Sequence, residues 1–444
     1  MQEFYDVREL HGYTTTIVFD NGAVDEISTH YISGAAVRAL VGGSYGFTTV
    51  DDPAKATDAV DEALGLARRL HKLNPRPRIE LKAVPAARNE PYQVKKNPAD
   101  VSLKDKLDLL KSIEGALREK DPDKMIRSTR ISYIESYAHA AHYGSENRHI
   151  EYDLMRTGFA CSTVAGKDGD LQPGRRSYFN VGGLEVFDQC DPLMLAREAT
   201  GEAFQLLGAK PAPSGRFDVI CDQRLAGVFI HEAVGHASEA DTVLSGDSCL
   251  ESKVGQLVGS PLVTVKDDPT LLKYGYYPYD SEGVASHPTM IIEKGVLKAY
   301  LNSRETAVKL PGEPGNARAG GLARPVVRMS NTFIENGDLK KEEVFEGVDG
   351  IYLTGSRGGQ VSTGEGIFQF NADMGFLVKN GQIGQAIRDV SLSGNTLRTL
   401  NSIVRVGNDL KFSSGTCGKA GQGVPVGDGS PHILIKDAVV GGHT

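Results

Sequence analysis

Beyond residue 215 the sequence loses helical periodicity almost completely. Its apolar runs are short, rich in Gly and β-branched residues, and broken by turn pairs at Lys294-Gly295, Asn336-Gly337 and Asn380-Gly381. Runs of that length between turn residues suit strands, because a helix needs a longer stripe at a period near 3.6. One stretch departs from this pattern. The strand-like "RFDVICD" leads into "QRLAGVFIHEAVGHASEAD", which is apolar enough to form a buried helix and carries two histidines and a glutamate. The second half is therefore predicted to be a mostly β domain with one important helix.

The first half reads differently. "TTTIVFDNGAVDEIS" sets Asn21-Gly22 between alternating runs, a strong hairpin signal, and "AAVRALVGGSYGFTTV" continues as strand. Asp52 then caps a helix opening with Pro53 and carrying Ala56, Val60, Ala63, Ala67 and Leu70 on one face. Residues 73–98 hold five prolines and read as a connector. Ser102 caps a second helix with Leu103, Leu107, Leu110, Ile113 and Leu117 on one face. Residues 125–187 return to strand-like alternation, and a helix over Pro192–Leu207 ends near Gly208. "AKPAPSG" at 209–215 marks a boundary. The expected fold class is α+β, with an N-terminal mixed α/β domain over 1–210 and a mostly β C-terminal domain over 211–444 that carries the histidine helix. A sub-boundary is expected within 73–98.

Composition narrows the function classes. The 444 residues carry 49 basic and 57 acidic side chains, a formal charge of −8, which disfavours direct nucleic-acid binding. No apolar run reaches the roughly 18–20 residues of a membrane span. "MQEFYDVREL" lacks the basic and apolar pattern of a secretion signal. Cys161, Cys190, Cys221, Cys249 and Cys417 are odd in number and scattered, as expected in a reducing cytoplasm.

The histidine motif is His231–Glu232–x–x–x–His236, one residue longer than the familiar zinc-peptidase spacing. Positions four apart on a regular helix lie about 40° apart, whereas positions five apart lie about 140° apart and their side chains diverge. A π-bulge restores the meeting, and Gly235 tolerates such distortion. The bland alternative is a pair of hydrogen-bonded core histidines beside a solvated glutamate. Against it, burying Glu232 between two imidazoles is costly without a compensating cation. A catalytic zinc takes three protein ligands and leaves one position open, so a third donor is expected from Cys417, His287, Cys249, Glu239 or Asp241. Cys417 lies in the glycine-lined "SSGTCGKAGQG", although a free Cys is more often a small buried hydrophobe.

"HEAVGHASEAD", "GTCGKAGQGVPVG" and "NTFIENGD" together resemble the corresponding motifs of the TldD/PmbA metallopeptidases, once called modulators of DNA gyrase. The similarity runs from "YDVREL" to the closing "VGG" and favours the TldD branch, which keeps the metal motif. Ala237 departs from the glycine expected there. The resemblance implies zinc held by His231, His236 and Cys417, with Glu232 as catalytic acid/base. It also implies unfolded or extended peptides as substrates, and a homodimer or a heterodimer with a TldE-like subunit. Glu239, three residues past His236, is a candidate for orienting that imidazole. The rival reading is a non-catalytic polypeptide-binding regulatory subunit with a structural metal.

Other clusters carry less. His139, His142 and His149 are expected at solvated or edge positions. The glycine-rich 354–366 and 415–429 read as tight turns beside the site and do not complete GxxxxGK[ST]. "YDSEG" at 279–283 holds two carboxylates that either back a site residue or simply form a turn, and the turn is the favoured reading.

Overall fold

A computed structural model describes residues 3–84, 90–146 and 148–442; part of the proline-rich connector, 85–89, lies outside them. Strands β1 (Glu3–Asp20), β2 (Ala23–Val41) and β3 (Ser44–Val50) are followed by helices α1 (Ala56–Leu73) and α2 (Leu103–Arg118). Strands β4 (Ile126–Gly144), β5 (His149–Lys167) and β6 (Asp170–Val181) and helix α3 (Pro192–Leu207) complete the first half. The strands form one antiparallel sheet in the order β3-β2-β1-β4-β5-β6, leaving β6 at an edge.

Local chemistry explains these elements. Asn21 and Gly22 both take positive φ, as a two-residue hairpin turn demands. Asp52 accepts a bond from the Ala54 N–H and opens a short 3-10 turn that runs into α1. Ser102 accepts from the Asp105 N–H, and Asp191 from Leu193 and Met194. The apolar faces of α2 and α3 close over Ile17, Phe19, Ile131 and Phe159, while α1 covers Val7, Ala35 and Val37.

The second half begins with β7 (Gly215–Cys221) and α4 (Gln223–Ile230). Of its later strands, six matter here: β8 (Val265–Asp267), β9 (Thr289–Glu293), β10 (Val296–Leu297), β11 (Asn331–Ile334), β12 (Gly350–Thr354), β13 (Lys411–Lys419); two more are β14 (Gln422–Ser430) and β15 (Ile433–Gly441). Among the described residues β7 sits inside a ten-stranded sheet, between β15 and β12. A six-stranded sheet runs β10-β9-β8-β11-β14-β13, so β13 is its edge. Helix α4 lies in one core with Val219, Ile291, Phe368 and Val426. The architecture is α+β, with a mostly β second half built around the histidine helix, as expected.

Two sequence readings need correction, and a third gains a role. Lys294-Gly295 and Asn380-Gly381 do turn with positive φ, but Asn336-Gly337 does not. Gly337 donates its N–H to the Gly407 carbonyl, and a Cβ there would sit 2.4 Å from the Val406 oxygen, so this glycine permits close approach of two segments. His142 is neither solvated nor at an edge: it is buried on the internal strand β4, with Nε2 3.8 Å from Asp6. The 279–283 stretch is a turn, yet both carboxylates are buried. Asp280 accepts backbone N–H bonds from Glu282, Val284 and Ala317, and Glu282 meets Arg38 of β2 at 2.5 Å while Arg38 also pairs with Asp6. That ionic cluster ties the N-terminal sheet to the second half.

Candidate metal centre

Asp222 caps α4 by accepting from the Leu225 N–H at 2.8 Å, and Leu225, Ala226, Phe229 and Ile230 bury the helix. At His231 the helix widens. Residues His231–Gly235 form a π turn in which the His236 N–H bonds to the His231 carbonyl, and His236–Ser238 tighten into 3-10 geometry before Glu239 leaves the helix. The wide turn brings the two imidazoles to a centroid separation of 5.4 Å, edge to face. Gly235 itself has ordinary helical angles, φ −55 and ψ −58. Its role is packing, because a Cβ there would lie 2.0 Å from Met329 Sδ.

The third donor comes from the sheet edge. Cys417 of β13 places Sγ 3.4 Å from His236 Nε2, and donor atoms of His231, His236 and Cys417 all lie within 4.8 Å of one another. Each imidazole has a carboxylate at its other nitrogen. Asp428 of β14 reaches His231 Nδ1 at 2.8 Å, and Glu239 reaches His236 Nδ1 at 3.1 Å. Lys419 in turn contacts Glu239 at 2.9 Å and Asp241 at 2.7 Å. Glu232 lies 3.8 Å from His236 Nε2 and is the more open of the group, with about a third of its side chain exposed.

Charges inside this site are strongly coupled. Burial pushes the Cys417 thiol up, but hydrogen bonds from His231 and His236 and their positive charges outweigh it and hold the thiol at about 5. Burial pulls His236 down, while Cys417 and Glu239 raise it to about 9. His231 is likewise held above its ordinary value by Asp428 despite burial. Burial lifts Glu232 above the usual carboxylate range, partly offset by both histidines. A thiolate and two imidazoles, converging and each backed by a second group, fit a zinc ion well and fit Mg²⁺ or Ca²⁺ poorly.

Among the described residues the other ligand candidates sit elsewhere. His287 faces the Pro314 carbonyl at 2.9 Å, and Cys249 packs beside Gly366. Glu239 and Asp241 border the site without joining the donor cluster. The residues that sequence reasoning missed are Asp428, Lys419 and Met329. Asp428 had one legible signal, a carboxylate inside the apolar run "GVPVGDGS".

Sequence comparison places residues 5–69, 96–207 and 214–442 in domain 1, the central domain and the C-terminal domain of the PmbA/TldA metallopeptidases. The chain belongs to the PmbA/TldD metallopeptidase family. It is 41% identical to a metalloprotease of Methanothermobacter thermautotrophicus, across 99% of this chain and 96% of that protein. It is 31% identical to a zinc metalloprotease TldD homolog of Saccharolobus solfataricus, across 92% and 90%. Its fold matches TldE from Thermococcus kodakarensis with a TM-score of 0.78 at 18% identity, across 100% and 97%. For this PmbA/TldD chain, no helix among the described residues is long and apolar enough to cross a membrane.

Proposed function

We propose that the chain is a zinc-dependent peptidase that hydrolyses peptide bonds in unfolded or extended polypeptides. The observation that carries this reading is the π turn that points His231 and His236 at Cys417 while Glu232 stays beside them. His231, His236 and Cys417 would hold the metal, which would supply Lewis acidity toward the scissile carbonyl and lower the pKa of a water at the site. Glu232, beside His236 and partly open to solvent, accepts a proton from the attacking water and passes it to the leaving amine. Asp428 and Glu239 orient the imidazoles through their outer nitrogens. Edge strand β13, which carries Cys417, offers unpaired backbone groups to which an extended peptide adds as a strand. Recognition of backbone in this way tolerates many sequences.

The rival reading, a regulatory subunit with a structural metal, calls for four protein ligands; three donors cluster among the described residues. Residues 1–210 and 211–444 are proposed to act as two domains in a reducing cytoplasm. A homodimer, or a heterodimer with a TldE-like subunit, is proposed on the family resemblance. The deciding experiment strips the purified protein with a chelator and follows an unfolded fluorogenic peptide. Hydrolysis is expected to vanish and to return with one zinc per chain in the wild type but not in Cys417→Ala. Full activity in the stripped protein overturns the proposal.

A further inference from the structure

A cavity of about 340 Å³ opens where β6 and β13, edge strands of two different sheets, approach each other at the start of α4. Its walls include Phe179, Tyr274 and Phe412, with Lys273 and Lys411 among them. Lys273 Nζ stands 5.5 Å over the Phe412 ring, and neither lysine has a carboxylate within 4.0 Å among the described residues. The hydroxyls of Ser177, Tyr274, Ser413 and Ser414 likewise meet no acceptor among the described residues.

The acids bordering the cavity are already engaged. Glu202 pairs with Arg176 at 2.6 Å, Asp222 accepts from the Leu225 and Gly355 N–H groups, and Asp373 accepts from Ser356 and lies 3.4 Å from Arg224. The cavity thus presents two ammonium groups and four hydroxyls, while the carboxylates on its wall are already paired. We infer that it is a substrate subsite that receives a carboxylate of the bound peptide, either an Asp or Glu side chain or the peptide's C-terminus. A carboxylate is the peptide group that satisfies several such donors at once and neutralises the lysines.

Its distance from the metal centre sets where that carboxylate falls. Ser414 lies three residues before Cys417 on β13, about 10 Å of strand. Gln223 lies eight residues before His231 on the other side, about 12 Å of helix. Lys411 lies six residues from Cys417. A peptide extended along β13 advances residue for residue, so the preferred carboxylate sits three to six positions from the scissile bond. This inference rests on the peptidase reading and adds a specificity to it.

The test scans a single Glu, against Gln and Lys, through an amidated unstructured peptide, and adds a length series ending in a free acid or an amide. With wild-type holoenzyme, kcat/KM is expected to rise about tenfold for a carboxylate at one position three to six residues from the bond, the scale of a charge-assisted contact. The Glu scan reads a side chain, and the length series reads a C-terminus. Lys273→Glu with Lys411→Glu is expected to reverse the preference toward Lys, and the Gln pair, which disturbs folding less, is expected to abolish it. A flat scan, or an unchanged preference in the Gln pair, overturns the inference. Fluorescence anisotropy of the same labelled peptides on Glu232→Gln holoenzyme reads the preference without turnover. Failure of the peptidase reading is therefore seen separately from failure of the subsite.

Discussion

The backbone N–H of His236 bonds to the carbonyl of His231, five residues earlier, in place of the four-residue bond of an α-helix. That single widened turn converts side chains that would diverge into a pair whose rings stand 5.4 Å apart. The longer motif spacing and the irregular helix are one fact seen at two levels. Met329 explains why position 235 is glycine, since its sulfur occupies the space a Cβ would need.

Glu232→Gln is expected to keep its metal and to lose hydrolysis by about 10²–10⁴-fold, the usual scale of a lost general base. Elemental analysis beside peptide turnover checks both halves. Wild-type turnover moves the base to another residue, and loss of zinc makes Glu232 a ligand.

Gly235→Ala is expected to destabilise the protein by about 1–3 kcal/mol, the cost of overpacking a filled core, because the new methyl meets Met329. Zinc affinity should fall with it as the π turn shifts. Adding Met329→Ala should restore much of both, as measured by thermal melting and a competitive metal titration. No rescue by Met329→Ala would assign the glycine's role to backbone freedom instead.

Asp428→Asn is expected to weaken zinc binding by about 10- to 100-fold, the usual effect of removing a carboxylate behind a histidine ligand. The ligands remain, so the site should still fill at high zinc. Affinity equal to wild type in a chelator competition would show that the 2.8 Å contact does not orient His231.

Zinc uptake is expected to release protons. In the metal-free site at pH 7, His236 with a pKa of about 9 is protonated, His231 is protonated as well, and Cys417 with a pKa of about 5 is ionised. Binding must displace the imidazole protons, so affinity rises with pH through neutrality, by about a hundredfold per unit where two protons leave. His236 ceases to contribute above about 9, and below about 5 Cys417 adds a further proton to displace and steepens the loss. Calorimetry in buffers of different protonation enthalpy measures the number released, and a value near zero contradicts this charge distribution.

What the sequence determined by itself was local. The Asn21-Gly22 hairpin, the caps at Asp52 and Ser102, the end of α3 at Gly208 and the irregular turn between His231 and His236 each follow from a few neighbouring residues. Backbone angles, capping bonds and helical period act over one or two turns, and the chain displays them directly. Cys417 was reached among several open candidates only through resemblance to known motifs. Its arrival beside His236 depends on packing α4 against the hairpin of β13 and β14, 181 residues away in sequence. The same packing, with Cys417 opposite Val424 across the ladder, delivers Asp428 to His231. Tertiary structure also decided that Gly337 is a close-approach site, that His142 is buried, and that Glu282 pairs with Arg38. Burial and pairing of these groups are set by which distant surfaces meet, and residue type and spacing along the chain do not encode that in any local period.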